Sequence, residues 1–206
     1  MKDEILAGIQ QNMRIESVRG EAQPDAPYGP GPKAALEDAL ELGRKLGFKV
    51  GQADNRIGWV EYGEGKEMVG VLGHVDVVPA GDTGWTYPAY GAEIHDGISL
   101  GKEGCLDDKG PIIGSIYALK AIRDLNLPID RRIRVIFGSD EECGSSCAAY
   151  YVENGYEMRR SDLLRMQIFR LFSVKKERPA SKAVLRFMTK VISKWNILVV
   201  ELLTMS

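Results

Sequence analysis

Apolar and polar positions recur along the chain in two different periods, which predict helices and strands in turn. Helices are predicted over four segments, at residues 5–13, 34–46, 110–125 and 145–151. Short apolar runs typical of strands lie at residues 48–50, 57–62, 68–72 and 133–137. Strands that alternate with helices predict an α/β fold, in which helices flank a mixed, mostly parallel sheet.

Glycines and prolines predict where these elements begin and end. Residues 24–32 contain four prolines and two glycines, and this composition predicts a loop. Gly47 follows the second helix at the position of a C-cap glycine, and Pro111 stands at the first helical position of the third. The turn residues at 95–97 predict a β-hairpin within residues 92–100.

Composition changes near residue 158. All 23 glycines lie at or before Gly155, although loops and turns continue to need them. Residues 159–206 hold 11 Lys+Arg and 3 Asp+Glu, whereas the preceding 158 residues hold 16 and 26. We therefore predict two regions, residues 1–157 as one α/β unit and residues 158–206 as a basic, glycine-free tail.

The overall composition also limits the classes of partner. No apolar stretch is long enough to cross a bilayer, and the first residues lack the core of a signal peptide. Three cysteines without a secretion signal indicate reduced thiols, so we expect a cytoplasmic protein. The tail lacks a recognised nucleic-acid motif, so we do not expect a nucleic-acid partner. Because no stretch could cross a bilayer, we do not expect a membrane partner either.

Three groups of polar residues carry candidate chemistry. His74-Val75-Asp76 follows one predicted strand, Asp140-Glu141-Glu142 follows another, and Asp107-Asp108 precedes a helix. In an open α/β sheet, ligands bind at the carboxyl ends of the strands. An imidazole with carboxylates suits Zn²⁺ or Mn²⁺, and of two adjacent glutamates one can bind metal while the other acts as a base.

Each group taken alone also has a purely structural interpretation. A histidine near an aspartate is often a structural hydrogen bond, paired aspartates often cap a helix, and paired glutamates are often solvated. We interpret Lys109 as a surface charge near the helix start. Cys105, Cys143 and Cys147 lack the spacing of a zinc site, so we expect them to be small buried residues.

The combined motifs resemble the M20 metallopeptidases, specifically their bacterial dipeptidase branch. The resemblance covers about residues 1–157 and rests on three stretches, Gly73–Gly81, Asp107–Pro111 and Gly138–Glu142. It implies part of an M20-type catalytic domain that hydrolyses a dipeptide, or another small amide, with a metal-activated water.

The resemblance also implies a role for each matching residue. His74 and Glu142 would be ligands of the first metal, and Asp107 would bridge two metals. The peptide bond between Asp107 and Asp108 would be cis. Asp76 would orient His74, and Glu141 would be the general base. The expected metal is zinc or manganese.

The chain also departs from the family pattern. The family's second metal needs a further aspartate, in a Thr-Pro-Asp-Ala-like stretch, and a distal histidine, and neither follows residue 142. We also expect the lid domain of the family to be absent. We therefore expect a truncated chain with little or no peptidase activity.

Several alternatives stay open. A frameshift would explain the tail, because another reading frame across residues 161–177 permits a Thr-Pro-Asp-Ala-like stretch. A genuine basic helix over residues 175–194 is the competing hypothesis. The enzyme could instead be a deacylase of N-acyl amino acids or succinyl-diaminopimelate, or the chain a non-catalytic fragment with a basic tail.

Overall fold

A computed structural model describes residues 2–81, 83, 85, 87–95, 98–100, 105, 107–157 and 163–165. The helices are α1 (Lys2–Met13), α2 (Pro30–Lys45), α3 (Lys109–Asp124) and α4 (Ser146–Glu153). The strands are β1 (Lys49–Ala53), β2 (Ile57–Tyr62), β3 (Met68–His74), β4 (Glu93–His95), β5 (Ile98–Leu100), β6 (Arg132–Gly138) and β7 (Leu163–Arg165).

Five of the strands form one mixed sheet in the order β1-β2-β6-β3-β7. β1 pairs with β2 and β2 with β6 in the antiparallel sense, while β3 pairs in parallel with both β6 and β7. The predicted α/β fold with a mixed sheet flanked by helices is confirmed. Two of the four strand pairs are parallel, because β2 runs antiparallel to both of its neighbours, β1 and β6.

The two faces of the sheet bury different sets of side chains, because successive residues of a strand point to opposite faces. Val60 and Val135 face the main core, which also contains side chains of α1, α2 and α3. Ile136 faces a smaller core, which contains Tyr151 of α4 and packs against Trp59. α3 is the most enclosed helix, since 13 of its 16 residues are buried.

Every predicted helix and strand is present, but several boundaries differ, most of all for α1, which begins three residues earlier than predicted, and for α2. α2 begins at Pro30, inside the predicted loop, because proline is tolerated in the first turn of a helix where its missing N–H costs nothing. α3 begins at Lys109, two residues before Pro111, for the same reason. Gly47 has φ +77° and its N–H donates to Arg44 O at 2.9 Å, as a C-cap glycine should.

The predicted hairpin is also present, with β4 and β5 paired antiparallel, although Asp96 and Gly97 lie outside the described residues. Within the predicted tail, β7 adds to the edge of the sheet beside β3. The proposed basic helix over residues 175–194 lies outside the described residues. None of the helices in the described part of the chain has the length and apolarity that crossing a membrane requires.

Candidate metal centre

The candidate site lies where two parallel strands end side by side. His74, the last residue of β3, is the register partner of Gly138, the last residue of β6. The pairing continues one residue further, because Val75 N–H donates to Gly138 O at 2.9 Å. The motifs that follow the two strands therefore meet at one edge of the sheet, although 65 residues separate Asp76 from Glu141 in the chain.

His74 is nearly enclosed, with 3% of its surface exposed. Its Nδ1 donates to the backbone carbonyl of Asp76 at 3.0 Å, and its Nε2 lies 3.0 Å from Asp107 Oδ1 and 3.9 Å from Glu141 Oε2. Burial alone would lower the pKa of His74, but hydrogen bonds to Asp107 and Asp76 outweigh it and raise the pKa to about 11. The Nε2 side of the ring therefore favours a positive charge, which a divalent cation would supply in place of the proton.

Asp76 connects the ends of the two strands through its carboxylate, and only 1% of the residue's surface is exposed. Its Oδ1 accepts the backbone N–H of Glu141 and its Oδ2 that of Glu142, both at 3.0 Å. The same carboxylate lies 3.5 Å from His74 Nδ1, farther than the Asp76 carbonyl. The sequence indicated a contact with the histidine, but it gave no sign of the bonds to the glutamate backbone.

Asp107 and Asp108 are joined by a cis peptide bond, as the family resemblance implied. Their environments differ. The Asp107 side chain is largely exposed, and its hydrogen bond with His74 lowers its pKa. Asp108 is 1% exposed, its Oδ2 accepts the His74 backbone N–H at 3.3 Å, and burial raises its pKa well above the usual range.

Three of these side chains form a cluster that fits a metal ion. One ligand atom each from His74, Asp107 and Glu142 lies within 4.8 Å of the other two. Burial raises the pKa of Glu142, and the neighbouring carboxylates of Asp107 and Glu141 add to this effect, so a cation at this position would stabilise the charged form. One imidazole and two carboxylates form a donor set suited to zinc or manganese. These are the three residues for which the family resemblance implied a ligand role, and Glu141 lies beside them.

The burial of two charged residues near the site was not predicted from the sequence. Lys109 was expected at the surface, and that interpretation is wrong: the residue is fully buried, and its Nζ donates to Asn12 O at 3.0 Å and Ile15 O at 2.6 Å. Burial lowers the pKa of Lys109 to about 8. Asp140 is also fully buried, and its carboxylate accepts hydrogen bonds from Arg19 and from Ser146, the first residue of α4.

The cysteines are only partly as expected. Cys105 and Cys147 are buried, whereas Cys143, which was expected to be buried, is exposed. Cys143 follows the two glutamates in the loop between β6 and α4, and the next residue, Gly144, is exposed as well. None of the three is in the cluster of candidate ligands.

Comparison with protein families gives one match that covers more than half of the chain. The model of peptidase family M20/M25/M40 matches residues 70–186. YtjP of Bacillus subtilis (strain 168), named as a candidate dipeptidase, is 44% identical over 155 residues, which are 74% of this chain and 33% of YtjP. A Staphylococcus aureus (strain USA300) protein with the same kind of name is 40% identical over 152 residues, 73% of this chain and 32% of that protein.

Solved structures with the same fold include two peptidases. Human carnosine dipeptidase 1 superposes with a TM-score of 0.65 at 25% identity, and covers 80% of this chain and 38% of its own. The M20 family metallo-carboxypeptidase Sso-CP2 from Sulfolobus solfataricus superposes with a TM-score of 0.66 at 20% identity, over 79% of this chain and 37% of its own. The chain thus spans about one third of the length of the curated relatives it matches.

Proposed function

The chain belongs to peptidase family M20/M25/M40, and we propose that it carries the metal-binding part of a metal-dependent dipeptidase. The observation that supports this proposal is the cluster of His74, Asp107 and Glu142 at the carboxyl edge of the sheet. The names of the curated relatives favour a dipeptide as the substrate. Cys105, Cys143 and Cys147 are thiols and not disulfides, which is compatible with the proposed cytoplasmic compartment.

In this proposal His74, Asp107 and Glu142 hold one Zn²⁺ or Mn²⁺ ion. Such an ion would supply Lewis-acid chemistry, which polarises the scissile carbonyl group and makes a water molecule easier to deprotonate. Asp76 serves as the residue that fixes the geometry, because it contacts the His74 ring and holds the backbone of both glutamates. A bond from Nδ1 to the Asp76 carbonyl leaves Nε2 as the nitrogen for the metal.

Glu141 is the proposed general base. Its carboxylate lies 3.9 Å from His74 Nε2, and 28% of the side chain is exposed, so a water molecule at the cluster is within its reach. Glu141 would take one proton from the water that attacks the peptide carbonyl carbon. It would then give that proton to the amine that leaves when the C–N bond breaks.

The chain by itself is expected to hydrolyse little dipeptide. Only three candidate ligands form a cluster among the described residues, and these can complete the protein ligands of one metal ion. The whole activity therefore belongs, in our proposal, to an M20 catalytic domain in which further residues complete the site.

Metal binding by the purified chain is the first test. After treatment with a chelator, titration calorimetry with Zn²⁺ or Mn²⁺ should show about one ion per chain. His74→Ala should abolish this binding, whereas His95→Ala should not, since His95 belongs to the β4–β5 hairpin. Absence of binding by the wild-type chain, or equal binding by His74→Ala, would remove the basis of the proposal.

A chimera tests the reaction. The 155 matched residues of this chain would replace their counterparts in YtjP, and dipeptide hydrolysis would be measured with Mn²⁺ present. Hydrolysis that disappears in the Glu141→Gln chimera would support the assigned roles. If unmodified YtjP hydrolyses the dipeptide and a folded, metal-loaded chimera does not, the assignment of the catalytic residues in this chain is wrong.

A further inference from the structure

The segment Ser17-Val18-Arg19, between α1 and α2, lies against the residues that follow β3. Val18 forms a parallel bridge with Val77, and Val77 N–H donates to Ser17 O at 3.2 Å. Ser17 is fully buried, and its hydroxyl donates to Val75 O at 2.6 Å. The segment thus holds the backbone on both sides of Asp76.

The same segment reaches the end of the neighbouring strand through Arg19. The guanidinium Nη1 of Arg19 donates to Oδ1 of Asp140, the residue two positions after β6. Asp140 is fully buried, whereas 42% of the Arg19 side chain is exposed. The guanidinium also lies over the ring of Tyr28, 5.4 Å from its centroid. A buried carboxylate that lost its cationic partner would have a high free-energy cost.

These contacts form a closed chain of interactions around the candidate metal centre. Arg19 holds Asp140, and Asp140 directly precedes Glu141 and Glu142. Both glutamate N–H groups in turn donate to the carboxylate of Asp76. The segment 17–19 also flanks Asp76. A displacement of Arg19 or Asp140 would therefore displace the two glutamates, which follow Asp140 directly and are hydrogen-bonded to Asp76.

We propose that Arg19 is a positioning residue for the metal centre, which acts through Asp140 on Glu141 and Glu142. This inference rests on the proposed metal site. Arg19 is not itself in the cluster of candidate ligands. A merely structural pair would affect the stability of the fold and leave the metal affinity of the folded protein unchanged, so the two roles are separable.

The test compares metal affinity with stability in Arg19→Met, Arg19→Lys and the control Arg44→Met. Arg44 forms ion pairs with Glu37 and Glu41 on the exposed face of α2. Titration with Mn²⁺ or Zn²⁺ would be done well below each melting temperature, which is measured without metal. We expect Arg19→Met to weaken binding by about 10–100-fold, the usual effect of removing a group that orients a metal ligand. Arg19→Lys should recover part of the affinity, and Arg44→Met should match wild type.

The double variant Arg19→Met/Asp140→Asn keeps the test decisive if Arg19→Met folds poorly. Asparagine at position 140 removes the buried negative charge that Arg19→Met leaves without its cation. The stability of the double variant should therefore recover relative to Arg19→Met, while its metal affinity should stay low. Wild-type affinity in the folded double variant, or in folded Arg19→Met, would overturn the positioning role. Absence of metal binding by the wild-type chain would instead overturn the proposed metal site, and this inference with it.

Discussion

Replacing Asp76 with asparagine tests whether one carboxylate holds the ends of β3 and β6 together. The side chain keeps its shape, but one of its two oxygens becomes an NH₂ group. In the wild type, both oxygens accept backbone N–H groups at 3.0 Å, from Glu141 and Glu142. The variant can satisfy only one of them, and the other N–H then faces a second donor.

The expected loss of stability follows from these contacts. Loss of a hydrogen bond to a charged group costs about 1.5–3 kcal/mol, and an unsatisfied buried donor costs about 1–3 kcal/mol. Because the two bonds are only partly buried, we expect a net loss of about 2–4 kcal/mol for Asp76→Asn. For a chain of this size, each kcal/mol lowers the melting temperature by about 2–4 °C, which gives a decrease of roughly 5–15 °C.

The assay is urea and thermal unfolding of both proteins with a chelator present, so that metal binding does not contribute. Asp130→Asn is the matched control, since the Asp130 carboxylate is exposed and pairs only with Arg131 among the contacts described for it. That variant should lie within about 0.5 kcal/mol of wild type. A free energy of unfolding for Asp76→Asn that equals the value of the control would refute the argument.

Three further predictions concern packing and thiols. Gly73→Ala should lower the free energy of unfolding in urea by about 1–3 kcal/mol, because the new Cβ would lie 2.1 Å from Asp108 Oδ2, and Gly20→Ala, with no atom closer than 3.8 Å, is its control. A thiol reagent should label Cys143 rapidly in the native protein and all three cysteines in denaturant. Burial raises the pKa of Cys147 from 9.0 to about 11, so the unfolded chain loses this proton first. The Cys147 thiol should therefore contribute a fall in stability of up to about 3 kcal/mol between pH 9 and 11, and in denaturant titrations at each pH the fall should be smaller by that amount in Cys147→Ala.

The parts of the site that the sequence predicted are those that local patterns determine. The apolar runs that precede His74 and Gly138 identify two buried strands. The carboxyl ends of neighbouring parallel strands meet at one edge of the sheet. The mixed character of the sheet was predicted, but the antiparallel pairing of β2 with β6 depends on which strands become neighbours. No periodicity within a strand contains that information.

The parts that the sequence did not predict depend on contacts between distant residues. Lys109 begins a helix, where a lysine is usually solvated. In the fold its Nζ instead donates to backbone carbonyls at the end of α1, and the sequence pattern does not show this contact. Arg19 and Asp140 are 121 residues apart, and neither is part of a recognisable motif with the other. Their pairing follows from the path of the chain between α1 and α2.

The burial of α3 has a consequence for the exchange of backbone protons with solvent. This helix is enclosed by the main core, so its amide groups can reach water only when that core opens. The free energy of opening measured from the exchange of the α3 amides should therefore equal that of global unfolding, while the amides of the short α4 should give smaller values. Asp108 is buried and its carbonyl accepts the Ile112 N–H in the first turn of α3, so this residue should stay in place until the core opens.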